Sequence, residues 1–230
     1  MKKLKKRNFF KKDVIFQYNK LSNGYDAQGY GSLSFFGAFL SINHCIFQYN
    51  ENTEGSGIYL DASNTLPWMN ITIVNSIFQS NIAASGAGLF FGANIWKITA
   101  SFENLTCRNN SATGRNFAIF DKIFYFFFPQ VGGCASINFN HKDSKFDIKN
   151  CLFSENSALL GGALYILHKA GILNLFSNKF IENSTPLNQY CGGGAITIIG
   201  LLTSFVVSRM NLYQYNAGVR GILIRKFRKK

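Results

Sequence analysis

Catalysis needs side chains that move protons, carry charge or hold metals, and this chain offers eleven Asp and Glu, three His and five Cys. The acids are scattered, and the local cluster to weigh is His141, Asp143, Lys145 and Asp147, beside the alternating run Phe146–Ile148. Alternate spacing on a strand puts such residues on one outer face. Glycoside hydrolysis would need a pair of carboxyl groups there. A polysaccharide lyase would need carboxylates on Ca²⁺ and a basic proton acceptor. A charged, solvated outer face explains the cluster without either chemistry. His44 falls where Asn75, Asn104 and Asn150 fall in the repeats described below, which reads as a substitute in a side-chain ladder. His168, next to Lys169, reads as a loop residue. The sequence therefore assigns no catalytic, cofactor-binding or metal-ligating residue, implies no cofactor, and favours a non-enzyme.

The cysteines point the same way. Cys45 and Cys151 each stand two residues before an aromatic, where other repeats have Ser76, Asn178 and Asn211. That is the behaviour of a small interior side chain. Cys107, Cys134 and Cys191 complete the set, with no C-x-x-C pair or metal-ligand spacing. An odd count leaves disulfides open.

What must position these residues is a repeat. An aromatic, or Cys107 in its place, is followed three residues later by Asn at Asn19, Asn50, Asn81, Asn110, Asn156, Asn183 and Asn216. The intervals are 31, 31, 29, 46, 27 and 33 residues. A near-constant period of this size is the mark of a solenoid whose units bury their apolar faces by stacking. Upstream of each aromatic, apolar residues alternate with polar ones: Leu40 and Ile42, Ile71 and Ile73, Phe146 and Ile148, Leu173 and Leu175. A period of two means strands. Gly-rich corners at Gly57, Gly86–Gly88, Gly132–Gly133, Gly161–Gly162 and Gly192–Gly194 lead into a second run. The expectation is an all-β, right-handed parallel β-helix of about six to seven coils. Phe16, Phe47, Phe78, Phe153, Phe180 and Tyr213 would stack inside it, and the Asn set would form an amide ladder at a corner. The tolerance of Asn for left-handed backbone is a second reason to place it at the corner.

The pairing of Phe-x-x-Asn with Gly-Gly-Ala (Phe153–Asn156 with Gly161–Leu164, Phe180–Asn183 with Gly193–Ile196) resembles the repeat of the polymorphic outer membrane proteins. More broadly, the chain is similar to right-handed β-helix proteins of pectin-lyase-like fold. The resemblance spans most of residues 13–224 and implies a surface-exposed or secreted protein, adhesive in many relatives.

The formal charge of +13 is confined to the ends. Met1–Lys12 holds seven basic residues, Arg220–Lys230 holds six, and residues 13–219 balance eleven against eleven. The solenoid proper is neutral, so nucleic acid is an unfavoured partner, and membrane association would run through the basic tails or through segments beyond this chain. Asn8-Phe-Phe-Lys-Lys supplies no apolar core for a signal peptide, which suggests a piece of a longer protein. Thr185–Ser208 is uncharged but interrupted by Gly192–Gly194 and Gly200, and reads as strand rather than membrane helix. Residues 114–130 account for the one long interval; without them Asn110-Ser-Ala-Thr-Val-Gly-Gly-Cys-Ala overlays Asn156-Ser-Ala-Leu-Leu-Gly-Gly-Ala-Leu. The Phe-Phe-Phe-Pro-Gln ending of that stretch is what the pyrimidine tract of an unspliced short intron would encode; a protruding aromatic loop is the functional alternative. Four glycosylation sequons begin at Asn70, Asn104, Asn109 and Asn183, of which Asn70, in a loop over 61–70, is the expected acceptor.

These observations divide the chain into a basic tail (1–12), a β-helix (13–224) with an insertion at 114–130, and a second basic tail (225–230). The expected function is that of a non-catalytic repeat module of a larger cell-surface or secreted protein, binding an unidentified protein or carbohydrate partner or spacing other domains. A carbohydrate-active β-helix enzyme, or an inactive carbohydrate-binding relative, is the alternative.

Overall fold

The computed structural model describes residues 9–12, 15–17, 31–35, 39–52, 55–61, 68–93, 97–112, 131–168, 170–185, 193–201, 205–217 and 220–227. Its strands stack one coil upon the next into a parallel β-solenoid, and no described residue is helical. Three sheets hold seven strands each. The first runs through Phe9–Lys12, Phe39–Asn43, Trp68–Val74, Lys97–Glu103, Lys145–Lys149, Ile172–Phe176 and Phe205–Arg209. The second is built of three-residue strands: Ile15–Gln17, Ile46–Gln48, Ile77–Gln79, Thr106–Arg108, Leu152–Ser154, Lys179–Ile181 and Leu212–Gln214. The third comprises Leu33–Phe35, Ile58–Asp61, Leu89–Ala93, Ala135–Phe139, Leu164–His168, Gly193–Leu201 and Arg220–Phe227. A small fourth sheet joins Ile82–Ala83, Ser111–Ala112 and Ser157–Ala158.

The alternation read from the sequence decides which side chains face inward. Trp68–Val74 exposes Trp68, Asn70 and Thr72 while Met69, Ile71 and Ile73 are buried. Register then places like over like: Leu40 under Ile71, Ile71 under Ala100, Ala100 under Phe146, Phe146 under Leu173. Each such large side chain contributes about 1.5–3 kcal/mol on burial, but only with a neighbouring coil above or below it. Gly193–Leu201 is a strand of the third sheet, as its interrupted apolar run implied. No helix among the described residues is long and apolar enough to cross a membrane.

Both corners flanking the second sheet use one device. His44, Asn75, Asn104, Asn150, Ser177 and Met210 have φ of 50–55° at the first corner. Tyr49, Ser80, Asn109, Glu155, Glu182 and Tyr215 have φ of 51–55° at the second. Each left-handed residue turns the chain so that the next side chain points into the core. Here the structure corrects the sequence reading: the left-handed residue is the one before the ladder Asn. The ladder Asn is kept for its amide, and the residue ahead of it bears about 1–2 kcal/mol of backbone strain. Gly is required at a third corner, where Gly161 has φ 62° and an added Cβ would strike the Leu164 carbonyl.

The expected loop over 61–70 is also shorter than read, since Trp68–Asn70 already belongs to a strand paired with Lys97–Thr99. The insertion at 114–130 and both basic tails beyond Phe9–Lys12 and Arg220–Phe227 lie outside the described residues, as does Cys191. The flanks of that insertion are described. Ala112 pairs with Ala158 and Val131 bridges Leu160, so the register with the next coil is the same on both sides of it.

Candidate functional site

The strongest sequence candidate, His141–Asp147, sits at the corner joining Ala135–Phe139 to Lys145–Lys149. The corner is tied down by backbone bonds: Ser144 N–H donates to the His141 carbonyl (3.0 Å), and Ile172 N–H donates to the Ser144 carbonyl (2.9 Å). Ser144 Oγ is buried and accepts from the Ile98 N–H at 3.0 Å, which locks this coil to its neighbour. His141 Nδ1 accepts the Asp143 N–H at 3.2 Å, and the Asp143 carboxylate stands exposed 4.0 Å from the same nitrogen.

Asp147 has a different environment. It lies between inward-facing Phe146 and Ile148 and is itself largely covered. One carboxylate oxygen accepts from Asn174 Nδ2 at 2.6 Å; the other is 3.0 Å from Lys145 Nζ and 3.4 Å from Lys149 Nζ. Burial pushes its pKa up, but the hydrogen bonds from Asn174 and Lys145 and the charges of Lys145 and Lys149 outweigh that and hold the carboxyl below its ordinary value. A carboxylate engaged in this way is a poor proton acceptor, since a useful base titrates near working pH. The cluster is a surface clamp across two coils: Asn174 lies one lap after Asp147 in the adjacent strand. Among the described residues, no group of three His, Cys, Asp or Glu is placed to hold a metal ion.

The two other histidines separate. His44 takes the left-handed corner position shared with Asn75, Asn104 and Asn150, as its alignment implied. The outer ladder there runs from Asn104 Nδ2 to Asn75 Oδ1 and from Asn75 Nδ2 to Asn43 Oδ1, each 3.1 Å. Asn43, rather than His44, is therefore the acceptor in that coil. His168 corrects its sequence reading outright. It is the last residue of a strand, fully buried, with its ring 4.4 Å from Phe139 and Nε2 3.0 Å from the Gly171 carbonyl. It falls directly over Phe139 in register, so the interior position takes a ring, and a flat imidazole serves.

The most organised polar array is the inner ladder. Asn50, Asn81, Asn110, Asn156 and Asn183 are fully or nearly fully buried, and Asn216 closes the described series. Each Nδ2 donates forward to the Oδ1 of the next Asn at 2.9–3.0 Å. From Asn81 onward, each also donates back to the carbonyl of the preceding coil's Phe47, Phe78, Cys107, Phe153 or Phe180 at 2.9–3.0 Å. Each Oδ1 in turn accepts the backbone N–H of the Asn before it at 3.0–3.1 Å. The amide thus satisfies backbone groups that would otherwise be buried unpaired. Beside it the aromatic column stacks as expected: Phe47 on Phe78 at 5.0 Å, Phe153 on Phe180 at 4.8 Å and Phe180 on Tyr213 at 5.0 Å.

Among the described residues the column is broken once, by Cys107, which is disulfide-bonded to Cys134 with a Cα–Cα distance of 6.0 Å. In the preceding coils the aromatic faces a glycine: a Cβ on Gly57 would lie 3.2 Å from Phe47 Cβ, and one on Gly88 3.1 Å from Phe78 Cβ. Cys134 occupies the Gly88 place and Cys107 the Phe78 place in the next coil. A covalent bridge across the interior has replaced a ring packed on a glycine. Cys45 and Cys151 are free and buried, as their shared position implied, and burial pushes the Cys151 thiol up to about 12.

No family model matches the chain, and neither curated proteins nor solved structures give a match. What is established is the fold: a parallel β-solenoid with an asparagine ladder.

Proposed function

We propose that the chain is a non-catalytic solenoid module of a cell-surface or secreted protein, with its outer sheet faces available for protein or carbohydrate partners or used as a rigid spacer. The observation that carries this reading is the Cys107–Cys134 disulfide in the core. Such bridges persist in oxidising compartments and are rare in reducing ones. The surface clamp around Asp147 supports the non-catalytic part, because its charged groups are engaged with one another. The Phe-x-x-Asn and Gly-Gly-Ala pattern supports kinship with polymorphic outer membrane protein repeats and, more distantly, with pectin-lyase-like β-helices. Peptide mapping of the native protein under non-reducing conditions, with surface labelling of intact cells, tests the reading. A bridged, surface-accessible or secreted chain is expected; a reduced Cys107 and Cys134 in an intracellular fraction would defeat it.

A carbohydrate-binding variant of this reading has one observation in its favour. Phe39 and Trp68 are exposed on the outer face of the first sheet, in edge contact at 4.8 Å. Exposed rings of this kind supply apolar area against the flat face of a sugar. Activity on polyuronates abolished by Asp143→Ala or Asp147→Ala would turn that variant into an enzyme.

A further inference from the structure

The four sequons share a sequence pattern and differ in what the fold does with their amides. Asn183 is fully buried, and its Nδ2 spends both hydrogens: one to the Phe153 carbonyl and one to Asn216 Oδ1, each at 2.9 Å. An N-linked sugar replaces one Nδ2 hydrogen and occupies space beyond it. At Asn183 it would remove a ladder bond and insert a polar ring into the core.

Asn104 presents the opposite case. It is exposed at a left-handed corner, φ 53°, and its Nδ2 makes a single bond, to Asn75 Oδ1 at 3.1 Å. The secondary amide left after glycosylation keeps one N–H, so that bond can survive. Thr106, which completes its sequon, begins a strand of the second sheet and is partly exposed. Asn109 is exposed at the second corner, φ 52°, with one bond, Nδ2 to Ser80 Oγ at 3.3 Å. Asn70 and Thr72 are both exposed on the outer face of Trp68–Val74, two residues apart and so on the same side.

We infer that the exterior positions Asn70, Asn104 and Asn109 are N-glycan acceptor sites and that Asn183 is not. The inference rests on the surface or secreted reading above, since the transfer takes place in a secretory compartment. The sugar donor is a lipid-linked oligosaccharide. The Asn Nδ2 forms the new bond to the anomeric carbon, the lipid diphosphate leaves, and the displaced Nδ2 proton goes to solvent. Asn104 and Asn109 flank the same three-residue strand, so glycans there would project from two adjacent corners of one coil. Asn70 lies on the first sheet. Together they would shield part of two faces and leave the third-sheet pair Tyr59 and Phe90, stacked at 5.3 Å, unshielded.

The test is glycopeptide mass spectrometry on the full chain directed through a eukaryotic secretory pathway, restricted to material with an intact Cys107–Cys134 bridge. Glycan is expected on the peptides bearing Asn70, Asn104 and Asn109, and none on the peptide bearing Asn183. Asn70→Gln and Asn104→Gln should each remove one glycan's mass while the bridge still forms. Sugar on Asn183 in bridged protein, or no sugar on any one of Asn70, Asn104 and Asn109, would overturn the inference. Neither of those results touches the functional reading, which stands or falls on where the native protein resides and whether its bridge is formed there.

Discussion

Replacing Asn156 with Ala removes four hydrogen bonds at once. Asn156 Nδ2 donates to the Cys107 carbonyl and to Asn183 Oδ1, and its Oδ1 accepts from the Asn110 N–H and Asn110 Nδ2. Asn183 Oδ1 keeps the Asn156 N–H as a donor. Two groups lose their partner in a dry interior, the Asn110 N–H and one Asn110 Nδ2 proton, while the Cys107 carbonyl keeps its place in the strand ladder with Leu152–Ser154. A buried polar group left unpaired costs about 1–3 kcal/mol, which gives about 2–6 kcal/mol for the two. That is a large part of the about 5–15 kcal/mol available to a typical domain. Asn216→Ala is the control. Asn216 is partly exposed and ends the described ladder, so water can reach what the truncation frees, and its cost should be less than half as large. Urea unfolding followed by circular dichroism measures both. With a slope of about 1–3 kcal/mol/M, Asn156→Ala should lower the midpoint by 1 M or more, on the order of the ratio of these values. A loss under about 1 kcal/mol for Asn156→Ala, or equal losses for the two variants, would refute the view that the ladder holds the coils together by satisfying buried backbone.

Three further outcomes follow from the same geometry. Opening the Cys107–Cys134 bridge, which spans 27 residues, should cost about 3–4 kcal/mol by loop entropy. The double change Cys107→Phe/Cys134→Ala copies the Phe153 and Ala163 of the next coil, so it should retain more stability than Cys107→Ala/Cys134→Ala in thermal melts; equal melting temperatures would count against the ring-for-bridge account. The depressed pKa of Asp147 means its stabilisation is present above the ordinary value of 3.8 and lost as pH falls through the lower folded value. The stability gap between wild type and Asp147→Asn should therefore be flat above about pH 5 and close in more acidic solution; a gap that widened on acidification would contradict the clamp. Cys151, its thiol pushed up to about 12 by burial, should resist iodoacetamide at mildly alkaline pH in the folded protein and react on unfolding. Peptide-level alkylation mapping reads this directly, and rapid native labelling of Cys151 would show its coil to be open.

The solenoid was legible because its logic is local and repeated. Phe47, Phe78, Phe153 and Phe180 sit one lap apart in the chain, and stacking converts that spacing into contact. The insertion register was legible for the same reason, since Val131 bridges Leu160 as the gapped overlay requires. What escaped was set by neighbours not visible within one repeat. His168 reads as polar beside Lys169, and only its place over Phe139 makes it a core ring. Propensity alone gives the left-handed corners to Asn, whereas Tyr49, Glu155, Glu182 and Tyr215 hold that geometry with no such preference; the ladder bond of the following Asn overrides it. The exposure of Asn104 is equally invisible within one repeat, because it depends on which way the corner throws the side chain. The Cys107–Cys134 pairing could have been found by noting that both depart from the Phe and Gly of the preceding coil at matched positions. For the outer cluster, the residue that mattered was Asn174, one lap beyond Asp147 in the adjacent strand.

Because Cys107 and Cys134 both belong to a single lap, their bond ties no lap to its neighbours; it fences off the chain between them. If the molecule is hauled apart by its two ends, laps can peel away in succession, but the 27-residue stretch inside the fence cannot pay out. At about 3.3–3.6 Å per extended residue, that withholds on the order of 90 Å of slack. Cutting the bond under load would release this length in one step, so the same thiol pair that fills a gap among stacked rings also sets how far this solenoid can stretch.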